Sequence, residues 1–139
     1  MAVVLGYDES PGAERALSAA IEVASAFGDQ LIIVFGAAPP GSLGEEYQAA
    51  RSAVEELGRV AVEHAVAAAQ EAGVPTAVEL LDEKPAQAIM TAADKHDARV
   101  IVVGTWGESP IRGAMLGSTS HKLLHLSDRP VLCVPAKVD

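Results

Sequence analysis

The chain has 139 residues, half of them apolar, which is enough for one domain with a real core and too apolar for a disordered chain. Ten basic residues against nineteen acidic ones leave a formal charge of −9, which repels nucleic acid and anionic membranes. No apolar run approaches the roughly 20 residues that cross a bilayer and no secretory signal pattern opens the sequence, so the expectation is one soluble, cytoplasmic domain over residues 1–139.

The first element is the apolar run "AVVLGY", residues 2–7, which reads as a strand buried on both faces. Asp8 follows. Ser10 suits the N-cap of a helix and Pro11 its first position. Ala13, Ala16, Leu17, Ala20, Ile21 and Ala24 then form one apolar face at helical spacing, and Gly28 marks the end. "LIIVFG", 31–36, is a second doubly apolar strand. The breaker-rich "GAAPPGSLG", 36–44, after it reads either as a flap or as a plain solvated connection.

A second helix is predicted from about Glu45 to Ala72, with Val54, Leu57, Ala61, Ala65, Ala68 and Ala72 inward. Gly58 in its interior costs about 1 kcal/mol relative to Ala, and Gly73 with Pro75 stops it. "TAVELL", 76–81, alternates around Glu79, which predicts an edge strand. A third helix covers roughly Pro85 to His96, with Ala88, Ile89 and Ala92 inward. "RVIVVG", 99–104, and "PVLCVP", 130–135, are the last two strands, with a fourth helix from about Ser118 to Ser127 between them. Cys133 is the only cysteine, so an internal disulfide and a Cys-based zinc site are excluded, and it reads as a buried small hydrophobe.

Strands alternating with helices imply an α/β sandwich around a parallel sheet. In such a sheet, ligands sit beyond the carboxyl ends of the strands where the winding reverses. If the first three strands wind one way and the last two return past strand one, the reversal falls between the loops that open at Tyr7-Asp8 and at Gly104.

The second of those loops is "GTWGESPIRGAMLGSTS", residues 104–120, far longer than an ordinary connector. Gly104 and Gly107 lack a Cβ and let backbone approach a ligand. Gly117-Ser118-Thr119 opens the fourth helix, where free N–H groups and the helix dipole favour an anion. The hydroxyls of Ser118 and Thr119 either cap the helix or donate to a phosphate. No Lys precedes Ser118, so this is not a P-loop, and "GYDESPG" after strand one is not a dinucleotide fingerprint. Asp8 either helps cap the first helix or meets the ligand. His121 and His125 stand one helical turn apart, a spacing that suits a metal or simply two solvent-facing residues. No third ligand is evident, so no metal is assigned to protein side chains. No Ser/His/Asp or Cys/His set is apparent, and catalytic residues are not assigned.

"GTWG", nine residues and "GST" resemble the Gly-x2-Gly-x9-Gly-Ser/Thr signature of ATP-binding universal stress proteins. "VVLGYDESPGAERALSAAIEVA" is similar to the opening of that family, and "PVLCVP" to its last strand. The resemblance implies a three-layer α/β/α, Rossmann-like fold of the adenine nucleotide alpha hydrolase type, with a five-stranded parallel sheet in order 3-2-1-4-5. It implies an adenine nucleotide, ATP above all, with Mg2+ or a similar ion between the phosphates. Tyr7, Asp8, Gly36, Val103, Gly104, Trp106, Gly107, Gly117, Ser118 and Thr119 would bind it, with Arg112 as a candidate phosphate contact. Asp8 would meet the adenosine end, Gly104 the ribose, and Gly107, Gly117, Ser118 and Thr119 the phosphates.

Three positions depart from the family's pattern. Gly36 replaces a Val or Ile that walls the adenine pocket. Trp106 replaces a residue that is often basic. Glu108 sets a carboxylate beside the phosphates, where like charges at 4 Å repel by about 4 kcal/mol at an effective dielectric of 20.

The resemblance also implies a homodimer. Strand five would be an apolar edge that invites symmetric pairing through Val131, Leu132, Cys133 and Val134, unless a helix or the tail "AKVD" covers it. The functional expectation is a dimeric nucleotide-binding stress-response switch or sensor with slow ATP hydrolysis at most. Two alternatives stand beside it: a dimeric interaction scaffold that binds no nucleotide, and a phosphoacceptor receiver domain using Asp82 after strand three.

Overall fold

The computed structural model describes residues 1–8, 11–36, 45–105 and 118–136. Five strands, β1 (Ala2–Gly6), β2 (Gln30–Gly36), β3 (Thr76–Leu81), β4 (Ala98–Gly104) and β5 (Val131–Val134), alternate with α1 (Pro11–Phe27), α2 (Glu45–Glu71), α3 (Pro85–Lys95) and α4 (Ser118–Leu126). The sheet is parallel throughout, in order β3-β2-β1-β4-β5. Ser10, residues 37–44 of the breaker-rich loop and the end of the tail lie outside the described residues.

Successive side chains of a strand point to opposite faces, and the strands here feed two cores. Val3, Leu5, Leu31, Ile33 and Val102 pack under α1 and α2 against Ala16, Ala20, Val62, Ala65 and Ala69. Val4, Ile32, Val34, Ile101 and Val103 pack on the other face against Ala88, Ile89, Ala92 and Leu123 of α3 and α4. That double burial is why the central strands read as unbroken apolar runs. Gly28 (φ 68°) and Gly73 (φ 76°) end α1 and α2 in the left-handed region that glycine enters without cost.

The inner face expected for α2 is corrected in part. Among the described side chains, Gly58, Ala61, Val62, Ala65 and Ala69 are buried and Ala68 packs against the same core, as expected for Ala61, Ala65 and Ala68, while Leu57 is 67% exposed and Ala72 lies at the surface; the Val54 side chain lies outside the described residues. The helix meets the sheet at Gly58, where a Cβ would stand 2.7 Å from Phe35 Cδ1. The Glu79 side chain is largely covered. β3 is an edge strand as expected, but Glu79 Oε1 accepts from Lys95 Nζ and from His96 Nε2, each at 2.8 Å, beneath the end of α3, and Val78 is the more exposed residue. These two donors, Lys95 first, hold the Glu79 carboxyl below its ordinary range against an opposing push from burial.

At the amino ends of the strands, the register of β1 with β4 slips between Ala2 and Val3, whose partners are Ala98 and Val100. The extra residue is Arg99. Its Nε donates to Asp29 Oδ2 at 2.6 Å and its Nη2 to Oδ1 at 3.3 Å, and its guanidinium lies 4.2 Å from the centroid of the Phe27 ring. This fork holds the Asp29 carboxyl below its usual range.

Candidate functional site

A cavity of about 160 Å3 opens at the carboxyl ends of β1, β2 and β4, where the winding of the sheet reverses. Tyr7, Asp8, Gly36, Val103, Gly104, Ser118 and Thr119 all line it, so every candidate residue within the described part of the chain converges on one site. Trp106, Gly107, Glu108, Arg112 and Gly117 lie outside the described residues.

The two sides of the cavity differ in chemistry. Toward β2 and α3 the lining is apolar: Val34, Phe35, Gly36, Pro85 and Ile89. Toward β4 and α4 it carries the hydroxyls of Thr105, Ser118, Thr119 and Ser120 around the first turn of α4. The first N–H groups of a helix have no partner within it, so that end offers donors to an anion. Asp8, exposed, sits between the two sides.

Glycines shape this end of the sheet. A Cβ on Gly36 would stand 2.4 Å from Ala88 Cβ, and one on Gly6 would stand 2.5 Å from Ile89 Cδ1. α3 therefore docks directly onto the ends of β1 and β2, and Pro85 and Ile89 supply the apolar wall that glycine at position 36 leaves open. Gly104 has a similar explanation. A Cβ there would lie 2.4 Å from the carbonyl carbon of Gly12, so its missing side chain admits the first turn of α1.

Two polar links fix the rim. The Tyr7 hydroxyl donates to Glu14 Oε1 on α1, and Glu14 Oε2 lies 3.0 Å from His64 Nε2 on α2. Buried Ser120 donates from Oγ to the Gly104 carbonyl at 3.0 Å, tying α4 to the end of β4. Of the three consecutive hydroxyl residues, Ser120 is thus committed to structure, while Ser118 is exposed. Cys133, next to Ser120, is half-buried rather than buried. Desolvation pushes its thiol above the ordinary range, with the Ser120 hydrogen bond pulling weakly the other way.

The residues missed from sequence are Gly6, Ala13, Val34, Phe35, Pro85, Ile89, Thr105 and Ser120. Most are ordinary core residues that acquire a place in the site only through strand order. Pro85, opening α3 at the carboxyl end of the sheet, is the one with a legible signal, because every helix of a parallel α/β fold starts at that end.

The receiver alternative fails on topology. A receiver sheet runs 2-1-3-4-5 and sets strand three beside strand one. Here β2 lies between them, which separates Asp82, after β3, from Asp8.

The profile of the universal stress protein family matches residues 1–135. The chain belongs to that family. A Thermus aquaticus universal stress protein is 36% identical over 136 residues, covering 95% of this chain and 96% of the relative. A universal stress protein solved in complex with cAMP is 28% identical with a TM-score of 0.74, covering 99% of this chain and 98% of that one. The Archaeoglobus fulgidus universal stress protein in complex with dAMP is 26% identical with a TM-score of 0.71, covering 96% and 97%. The Rossmann-like three-layer architecture and the strand order expected of a universal stress protein are both present. Among the described residues, no helix is long and apolar enough to cross a membrane.

Proposed function

We propose that this universal stress protein binds an adenine nucleotide, ATP in the first instance, in the cavity at the sheet reversal. It acts as a single-domain, dimeric switch or sensor in a cytoplasmic stress response and hydrolyses ATP slowly at most. The observation that carries the reading is the two-sided chemistry of the cavity. An apolar side of Val34, Gly36, Pro85 and Ile89 suits a purine ring, and a hydroxyl-rich helix start at Ser118 and Thr119 suits phosphates. Relatives of the same fold solved with dAMP and cAMP support the choice of adenine.

On this reading the backbone at Gly36 meets the base, Tyr7 and Asp8 the adenosine, and Val103 and Gly104 the ribose. Gly107, Gly117, Ser118 and Thr119 hold the phosphates. Trp106 lids the ligand, and Arg112 offsets the charge of Glu108. Mg2+ would be held chiefly by the phosphates, since Asp8 is the one carboxylate lining the described cavity. Fast phosphoryl transfer needs a positioned nucleophile and charge stabilisation, and the reading assigns the site to binding first.

The dimer would form through β5. It is the last strand in the sheet order, and Leu132 is 39% exposed on it. An apolar edge invites a symmetric partner.

Mass spectrometry of nucleotide released from the purified protein, followed by calorimetric titration with ATP, ADP, AMP and cAMP, tests the reading. Gly117→Val should abolish the heat of binding by blocking the phosphates. Titrations with no heat for any adenine nucleotide, or an unchanged affinity in that variant, would overturn it. Sedimentation of wild type and Leu132→Asp tests the dimer separately.

A further inference from the structure

Among the described residues, two histidines of α4 stand outside the cavity lining and outside every ion pair. His121 and His125 are both exposed, and among the described residues neither makes a hydrogen bond or salt bridge. Their rings face each other edge to face, centroids 4.5 Å apart and planes at 67°. The other two histidines are engaged, His64 with Glu14 and His96 with Glu79. Ser120 and Leu123 bury the opposite face of the helix, which fixes the side that His121 and His125 present to solvent.

We propose that His121 and His125 form a two-imidazole chelate for a borderline divalent transition-metal ion: Zn2+, Ni2+ or Cu2+. Imidazole is a preferred ligand of these ions, whereas Mg2+ and Ca2+ take oxygen. Two nitrogens at 2.0–2.1 Å from one tetrahedral ion stand roughly 3.3 Å apart. Side chains four residues apart on a helix start from Cβ atoms about 5–6 Å apart, and here the rings have already closed to a 4.5 Å separation of centroids. Rotation about side-chain torsions is all that remains, so little backbone entropy is lost on binding. Water fills the other coordination positions, which makes the site weaker than a closed four-ligand zinc centre.

The chelate ties one turn of a nine-residue helix to the next. A helix of that length is marginal by itself, so the bound ion stabilises α4. The site does not depend on the nucleotide reading, and its test needs no nucleotide.

The test is calorimetric titration of the purified chain with Ni2+ and then Zn2+, paired with thermal melts. One ion per chain, a raised melting temperature and no response to Mg2+ are expected. His121→Gln and His125→Gln, which keep an exposed polar side chain, should each weaken binding at least about tenfold, since losing even an outer-shell partner of a metal ligand costs 10–100-fold. His96→Gln should leave the affinity unchanged. Circular dichroism of each variant checks that α4 is intact. Absence of saturable binding, or affinity that survives loss of both α4 histidines, would sink the proposal.

Discussion

Gly104 at the end of β4 and Gly12 in the first turn of α1 are in backbone contact that leaves no room for a methyl group on either. A Cβ on Gly104 would lie 2.4 Å from the Gly12 carbonyl carbon, and a Cβ on Gly12 would lie 2.6 Å from the Thr105 oxygen. The neighbours are backbone and cannot swing aside. Gly104→Ala and Gly12→Ala should therefore each cost about 2–3 kcal/mol, at the upper end of overpacking penalties. Urea denaturation without ligand reads this directly. Wild-type stability in both variants would show that the glycine at position 104 is needed only for a ligand.

Gly58 and Phe35 make a second contact of this kind. Ala at position 58 gains about 1 kcal/mol of helix propensity, but its Cβ would stand 2.7 Å from Phe35 Cδ1. Phe35 is a side chain and can be trimmed. The single variant Gly58→Ala should be destabilised by about 1–2 kcal/mol. In a Phe35→Leu background the same change should be neutral or stabilising. A double-mutant cycle measures the coupling, and additive effects would show that the ring does not limit the approach of α2.

The central strands were legible because burial on both faces leaves a continuous apolar run, and the helices between them because caps and glycine stops bracket them. The face of α2 was legible only in part. Leu57 is 67% exposed although its neighbour Gly58 meets Phe35, so periodicity alone did not say which stripe of the helix meets the sheet. The alternation around Glu79 correctly marked an edge strand, but the partners of Glu79 were not legible. Alternation places a carboxylate on one face of a strand without saying whether that face meets water or, as here, Lys95 and His96. In the site, the long glycine loop correctly marked the reversal between β1 and β4. The reasons for Gly36 and Gly104 were hidden, since a missing Cβ serves a helix contact as well as a ligand contact and only the three-dimensional neighbour decides.

Asp29 and Glu79 should make the protein acid-sensitive. Both folded-state pKa values are depressed below the ordinary 3.8 and 4.5, by Arg99 and by Lys95 with His96. A depressed carboxylate contributes stability that is fully present above its unfolded-state value and is lost as pH falls through the folded-state value. The urea midpoint should therefore fall as pH drops below about 4.5. Glu79→Gln should lower the midpoint at pH 7, and its difference from wild type should shrink toward acid pH. A difference that stays constant with pH would show that the Glu79 charge is not involved.

Cys133 should be a slow thiol. Desolvation raises its pKa above the ordinary 9.0, the Ser120 hydrogen bond opposing this only in part, so the reactive thiolate is scarce at neutral pH. An aromatic disulfide reagent should label the native chain more slowly than the urea-unfolded chain, because desolvation makes the thiolate scarcer in the fold. The native rate should still be climbing at pH 9. Rapid native labelling at pH 7 would mean that β5 opens its edge readily or that the thiol is not desolvated.

The neighbouring hydroxyls Ser118 and Ser120 should separate binding from stability. Ser120 is 1% exposed and donates to the Gly104 carbonyl at 3.0 Å. Ser120→Ala leaves that acceptor without its partner in a buried place, which costs about 1–3 kcal/mol. Ser118 is exposed at the first position of α4 and borders the cavity. Its replacement by Ala should cost less than about 1 kcal/mol of stability, the usual loss at a helix start, but should weaken nucleotide binding if the phosphates lie at the α4 terminus. Denaturation and nucleotide titration on both variants give a crossed result: Ser120→Ala reads mainly in stability, Ser118→Ala mainly in affinity. The reverse pattern would require Ser120 to leave Gly104 for the ligand, and with it the link that now holds α4 to β4.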